Sequence, residues 1–450
     1  MTLLRRPAAS ALALIVGWLL LAAAVEASSG GLLAAVGDVG ATSAVVWIRA
    51  AREGLVEVEL GERRIELRAR TADGLTAKTL LTALAPAARH RYRVRQGSDE
   101  IAGEFVTAPA ADTDARVTFL WSGDLGGGGF CRLVDGGYRI FRPMARRSAD
   151  FFLFVGDTIY ADVPCDKPGV VPGANFRART LEQYRQRHGY NRVDPAFKEF
   201  MKQTSVYAIW DDHEVRNDFS GPTDPLMPIG RRAFIEWWPI IPSPADPTRL
   251  YRSFRWGSLL EVFILDTRQY RSPNQAPDGP GKTMLGARQR EWLVSGVTTS
   301  SATWKVVVSS VSLAIPTGKP ERRDSWTNAS VFGLPQEGGT GFVVERDGIL
   351  TAFREAGVKN LVFVAADVHH AELIRHRPAP GYAFHELIAG PLSATTGRPR
   401  PLDQSLGSQS IFARGGVYNF GEVVIEPGLL TVRFVDDAGD VMFAHTIGAE

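Results

Sequence analysis

Charge of one sign is what this sequence most plainly lacks: 51 basic against 49 acidic residues leave a formal net charge of +2 over 450 residues. No run of like charge is long enough to form a nucleic-acid tract, so any basic site is local. Cysteine is nearly absent too, with Cys131 and Cys165 the only two. In an exported chain one disulfide between them is expected; two free thiols near a metal are the competing reading. Internal repeats and low-complexity tracts are missing. Apolar side chain is abundant at 45%, which excludes a disordered tail and allows a large core in two domains or more.

The first residues, MTLLRRPAASALALIVGWLLLAAAVEASSG, carry Arg5 and Arg6, then an apolar run, then small residues from Ala22 to Ser28. This is the layout of an export signal, with residues 1–27 removed and no transmembrane segment left behind. The length of the apolar run keeps an uncleaved anchor as the alternative. The expected location is periplasmic or extracellular.

Residues 30–109 alternate with period two between turn signals, in SAVVWIRA, LVEVELG, RRIELRAR, HRYRVRQG and AGEFVTAP. That pattern predicts an all-β sandwich, and LTALAPAARHRYRVRQG resembles the fibronectin type III style of sandwich. APAADTDA reads as a linker, and residues 116–450 as a second domain. There the apolar strands VTFLWSGD, FFLFVGD, SVYAIWDDHE, LLEVFILDTR, WKVVVSS and NLVFVAADVHH alternate with the helical patterns RTLEQYRQRH, DPAFKEFMKQ, RRAFIEWW and GARQREWLVSG. Such interleaving predicts an α/β (α+β) class, with sheets covered by helices. The end of the chain returns to hairpin texture and is expected at the outer edge of a sheet.

Most of those strands finish in Asp, His or Ser, and ligands bind at the carboxyl ends of strands in open α/β sheets. Four ends stand out: Asp124; Asp157 with Tyr160; Asp211, Asp212 and His213; and Asp367 with His369. Any one of them alone is more often a cap or turn residue. Four acidic ends in one region repel one another unless a cation or hydrogen bonds neutralise them. Carboxylate, imidazole and phenol donors suit a hard trivalent iron beside a divalent metal, unlike a thiolate-rich zinc site.

In order along the chain, GDTIYAD, IWDDHEVRND, LDTRQYRS, LGARQREWL, WKVVVSSVSL and ADVHHAEL resemble the PhoD-like alkaline phosphatases and phosphodiesterases of the calcineurin-like metallophosphoesterase superfamily. The resemblance implies a metallophosphatase β-sandwich flanked by helices, preceded by the amino-terminal sandwich. It implies that Asp157 bridges two metal ions, with Asp124, Tyr160 and His369 on the iron(III) side and Asp212 and Asp367 on the divalent side. His213 falls near the scissile phosphate. Gly126 stands where many superfamily members place a histidine, and Ser309 and Ser310 where many have an Asn or His ligand. Fewer imidazoles favour oxygen-loving ions, so calcium is the expected partner of iron.

A bridged pair of this kind activates water for in-line attack on phosphorus, with no side-chain nucleophile. Asp212 and His213 are then the catalytic residues, His213 protonating the leaving group or stabilising the charged transition state. The glycine run GDLGGGGFCR offers amide donors to phosphate, or is a plain flexible turn. Arg132 and Arg216 are candidate phosphate clamps, with surface salt bridges as the alternative. Phe234, Trp237 and Trp238 read as core, His188 and His376 as surface or helix-end residues, and His370 as facing away from His369. His385 is at best a supporting residue.

The sequence thus predicts an exported, metal-dependent hydrolase of phosphomonoesters or phosphodiesters, acting on a small phosphate ester or a phospholipid. A phospholipase D-like phosphodiesterase is the alternative within that chemistry, and a non-catalytic secreted binding protein the alternative outside it.

Overall fold

Residues 31–450 are described by a computed structural model, and the expected export signal lies outside them. The alternating amino-terminal runs form β1 (Leu33–Gly37), β2 (Ala44–Arg49), β3 (Gly54–Leu60), β4 (Arg63–Ala69), β5 (Thr76–Leu81), β6 (Arg89–Gln96) and β7 (Asp99–Val106). They divide between two sheets. β3, β4, β6 and β7 make a four-stranded sheet in the order β4-β3-β6-β7, while β1, β2 and β5 pair with one another. The three-stranded part is not free at its edge: β1 meets the following region in parallel register, Gly37 opposite Val206.

The apolar runs that follow give β8 (Val117–Ser122), β9 (Phe151–Val155) and β10 (Ser205–Ile209), three neighbouring parallel strands. Then come β11 (Arg252–Trp256), β12 (Leu260–Ile264), β13 (Trp304–Val308), a small hairpin of β14 (Gly318–Lys319) and β15 (Arg322–Arg323), β16 (Leu361–Ala365), β17 (Ala371–Ala379), β18 (Tyr382–Ile388) and β19 (Gln409–Arg414). The carboxy-terminal hairpins are β20 (Asn419–Glu426), β21 (Leu429–Asp436) and β22 (Val441–Gly448). β20 pairs antiparallel with β8, so the chain end completes the outer edge of a nine-stranded sheet, β22-β21-β20-β8-β9-β10-β1-β2-β5. The second large sheet runs β11-β12-β13-β16-β18-β17-β19, with β12, β13, β16 and β18 parallel.

Period-two alternation decides what each face buries. On β12, β13 and β16, Val262, Ile264, Val306, Val308, Val362 and Val364 join the core shared with the nine-stranded sheet. Phe263, Val307 and Phe363, one residue out of phase, pack instead with Leu293, Val297, Ile349 and Phe353 of two covering helices, Gly286–Thr299 and Val343–Glu355. On β9, Phe151 faces Trp256 of the opposite sheet at 4.8 Å between ring centroids, while Phe152 and Phe154 meet Phe200, Phe197 and Trp238 on the helical side. Phe234, Trp237 and Trp238 are core, as their spacing predicts.

Local signals explain most helices. Thr180 and Gln183 form a reciprocal capping box at Leu181–Arg192, and Asp194 caps Pro195–Gln203 with proline at the first position. Val343–Glu355 was not expected from the sequence, and its start is fixed from a distance: the Asp278 carboxylate accepts from the Val343 and Val344 amides. Two histidines expected at the surface or at a helix end are buried, His188 within Leu181–Arg192 and His376 on β17. His188 stacks on Trp237, and His376 lies between Ser408 and Glu386. Among the described residues no helix is long and apolar enough to cross a membrane.

Candidate metal centre

The carboxyl ends of the parallel strands of both large sheets open on one rim. β8 leads to Asp124, β9 to Asp157 and Tyr160, β10 to Asp211, Asp212 and His213, and β16 to Asp367 and His369. Asp124, Asp157, Asp367 and His369 all adopt left-handed backbone, with φ of 64°, 50°, 65° and 61°. Asp and His both enter that region more readily than most non-glycine residues. Gly156 makes the approach of β9 to β10 possible: a Cβ at this position would lie 2.5 Å from the Asp211 Cβ.

Ligand atoms of Asp124, Asp157 and His369 lie within 4.8 Å of one another, and so do those of Asp157, Asp212 and His213. Asp157 is common to both sets. The Tyr160 hydroxyl sits 3.0 Å from His369 Nε2, which adds a phenol oxygen to the first set. Both carboxylate oxygens of Asp124, one of Asp212 and one of Asp367 are buried without a hydrogen-bond donor. Acceptors left this way in the interior are costly unless a cation meets them. Burial, reinforced by the neighbouring carboxylates, pushes Asp124, Asp157 and Asp367 well above the usual carboxylate range, and burial beside Asp157 likewise raises Tyr160. The donor set of four carboxylates, a phenol and an imidazole fits hard cations.

The two histidines are set up differently. His369 Nδ1 donates to the Thr395 carbonyl, which directs the Nε2 lone pair at Asp124 and Tyr160. Burial lowers this ring to about 4, so it is a neutral ligand-type imidazole. His213 Nδ1 pairs with the Asp162 carboxylate at 2.6 Å, and the ring stacks on Tyr160 at 4.1 Å. Burial pulls His213 down, but Asp212 and Asp162 outweigh it and bring the ring up to about 9. In the metal-free chain His213 therefore favours its protonated form.

On the far side the acids meet a guanidinium of the chain. Arg268, fully buried after β12, donates Nε to Asp211 at 2.5 Å and forks both Nη atoms onto Asp324 at 2.8 Å each. Arg271 and Asn274 also donate to Asp324. Burial raises Asp324, yet Arg268 and Arg271 outweigh it and hold the carboxyl below its ordinary value. Asp211 thus sits among the strand-end acids as an ion-pair partner, with Ser310 as a further donor. Asp212, Asp218 and Asp324 form another close group. Asp162, Asp218, Arg268 and Asp324 were missed in the sequence. Asp162 and Arg268 lay inside quoted motifs, GDTIYAD and LDTRQYRS, whereas Asp324 follows no apolar strand.

The structure does not bring Arg132 to this rim: its guanidinium lies over the Tyr190 ring and donates to the Tyr190 carbonyl. Arg216 pairs with Asp224 and lines a polar cleft of about 200 Å³ beside Asp218, together with Asn217, Asn274 and Arg322. In the glycine run, the Gly126 and Gly127 amides both donate to the Ser393 carbonyl, so these two are not available to a ligand. Gly127 packs flat on Tyr160, where a Cβ would come 2.3 Å from the ring. His370 turns away from the rim to Glu372. Cys131 and Cys165 form a disulfide that joins the loop after β8 to the loop after β9.

Residues 126–424 match the family model described as PhoD-like phosphatase. The chain belongs to the PhoD-like phosphatase family. It is 27% identical over 317 residues to alkaline phosphatase D of Bacillus subtilis (strain 168), an alignment covering 64% of this chain and 52% of the relative, so the chain spans about half the length of that curated protein. The solved structure of PhoD superposes with a TM-score of 0.73 at 21% identity, covering 93% of this chain and 88% of that one. A purple acid phosphatase, PPD1 from yellow lupin (Lupinus luteus) seeds, gives 0.63 at 12% identity, covering 93% and 74%. At these identities the two structures speak for a shared mixed α/β, metallophosphatase-like fold. The PhoD-like member described here adds an acidic rim suited to cations.

Proposed function

We propose that this chain is an exported phosphoric ester hydrolase that uses two metal ions, iron(III) and calcium. The observation that carries the reading is the sharing of Asp157 between two ligand sets, one with Asp124, Tyr160 and His369, the other with Asp212. The second set is Asp157 and Asp212 with His213 as its single nitrogen donor and Asp367 nearby, a mostly oxygen set, which suits calcium. When bound, such a pair supplies Lewis acidity that activates water and neutralises phosphoryl charge.

The chain's own residues do the rest. Asp162 orients His213 through Nδ1, leaving Nε2–H to donate to the leaving oxygen. The polar cleft beside Asp218, with Arg216 at its wall, is the place for the ester's second arm. The disulfide supports residence in an oxidising compartment. The split of the first seven strands into groups of three and four supports a fibronectin III-like layer over residues 30–109 on a metallophosphatase body of 116–450.

The test is elemental analysis of the purified protein, coupled to hydrolysis of p-nitrophenyl phosphate and its bis-ester. Activity lost on chelation and restored by iron with calcium, together with a visible absorbance band that Tyr160→Phe abolishes, is the expected result. Full hydrolysis by chelated protein would overturn the reading.

A further inference from the structure

Large apolar side chains exposed one at a time are ordinary on protein surfaces, and Leu55, Leu80, Ile241 and Val441 are of that kind. Residues 331–334 differ. Val331, Phe332 and Leu334 are 65%, 77% and 60% exposed within four positions. The turn that carries them is built, not loose. Ser330 Oγ accepts from the Phe332 and Leu334 amides, the Ser330 amide donates to the Leu334 carbonyl, and the Gln404 amide donates to the Gly333 carbonyl. Gly333 has a φ of 75°, and a Cβ there would stand 2.3 Å from the Leu402 carbonyl oxygen. The backbone is thus fixed against residues 402–404 while three apolar side chains point outward.

This turn belongs to the same rim as the metal centre. The Gly397 amide donates to the His369 carbonyl, Arg400 to the Pro316 carbonyl and the Asp403 amide to the Ala314 carbonyl, a continuous path from His369 to Gly333. Along these segments Lys319, Arg398 and Arg400 are exposed, against Glu321 and Glu337, while Arg322 turns to Asp218 at 3.9 Å. Apolar tips ringed by a basic excess are the chemistry of an anionic membrane surface. A second copy fits less well, because a two-fold contact through this patch would set the same cations against each other.

We propose that this rim docks onto an anionic lipid surface, with Val331, Phe332 and Leu334 entering the headgroup boundary and Lys319, Arg398 and Arg400 meeting the headgroups. The assignment does not rest on the hydrolase reading. It is tested by co-sedimentation of the full chain with phosphatidylglycerol vesicles and, separately, phosphatidylcholine vesicles. The apolar run near the amino terminus is common to all variants, so differences between them report the rim. Phe332→Ser is expected to lower partitioning onto the anionic vesicles about 10-fold, and Arg398→Gln with Arg400→Gln about 25-fold. Leu80→Ser, on the distant strand β5, should change nothing, and unchanged thermal unfolding verifies that each variant is folded. Equal partitioning onto phosphatidylcholine, or no difference between Phe332→Ser and Leu80→Ser, would overturn the proposal. A concentration-dependent dimer abolished by Phe332→Ser, without vesicle binding, would overturn it in favour of self-association.

Discussion

Two groups of buried acids share one rim and are neutralised in opposite ways. Asp211 and Asp324 meet Arg268 at 2.5 and 2.8 Å, a counter-charge supplied by the chain itself. Among the described residues Asp124 and Asp157 meet no arginine or lysine; the imidazole nearest Asp124, His369, is 3.8 Å away and held neutral. The difference separates structure from function among residues of one type at equivalent strand ends. Where the fold brings its own cation, the carboxylate fixes the rim; where it does not, the rim is left suited to a cation from outside.

The largest effect expected from this contrast is at the residue shared by both ligand sets. Asp157→Asn should lower phosphoester hydrolysis by at least about 1000-fold, since both ion sites lose a ligand. Elemental analysis should show both ions reduced. The metal-free variant should be more stable than the metal-free parent by about 1 kcal/mol or more, because one buried, crowded carboxyl is gone. A variant that keeps both ions and most activity would end the two-set reading.

Arg268→Met probes the other group. It strands Asp211 and Asp324 without their partner and should cost about 3–5 kcal/mol of stability with or without metals present. Denaturant unfolding in chelator and in metal decides it: a loss seen only in the metal-loaded protein would mean that Arg268 acts through the ions, and the contrast would fail.

A smaller effect is expected at the disulfide, which spans 34 residues and ties only the loops bearing Asp124 and Asp157. Cys131→Ser with Cys165→Ser should reduce stability by about 2–4 kcal/mol. It should also weaken metal retention in dialysis, whereas the Arg268 group, outside the closed loop, should be spared. Unaltered metal retention would show that the loops are positioned without the bridge.

How much of this was legible depended on how locally each role is encoded. Asp124, Asp157, Asp212, His213, Asp367 and His369 each follow an apolar run, and strand ends can be read from periodicity alone. Tyr160 was singled out beside Asp157, but its role on the iron side came only from the resemblance carried by GDTIYAD, because a phenol five residues past the end of β9 has no signature of its own. Arg268 and Asp324 escaped because their meaning arises only when a loop between β15 and the helix Val343–Glu355 folds back over the end of β12. Arg132 shows the converse: nearness in sequence to Cys131 suggested the site, but the chain turns and the guanidinium goes to Tyr190. The burial of His188 likewise depends on a ring from a distant segment, Trp237, while His376 packs on Phe384, its partner across the β17–β18 hairpin.

Asp324 should also respond to pH with a sign opposite to that of Asp124, Asp157 and Asp367, an effect of about 1.4 kcal/mol per pH unit for each carboxyl at most; Asp211, raised by burial despite Arg268, follows the crowded acids. Asp124, Asp157 and Asp367 are raised in the folded, metal-free chain, so across the range above about pH 4 the folded state holds protons that the unfolded state has released. Their contribution is fully present below the unfolded value and is lost as pH rises. Asp324 is lowered by Arg268, so its contribution is present above the unfolded value and lost as pH falls. His188 and His369, held neutral by burial, favour the folded state as pH rises between about 4 and 6. The informative quantity is therefore the difference between variants in chelator over pH 4–6, below the range where His213 begins to contribute. Asp124→Asn should gain stability relative to the parent as pH rises through that window. Asp324→Asn should lose least relative to the parent at the acid end, near pH 4 and below, where the parent carboxylate begins to take up its proton. If both differences run the same way with pH, the two groups are one electrostatic unit and the distinction drawn between them does not hold.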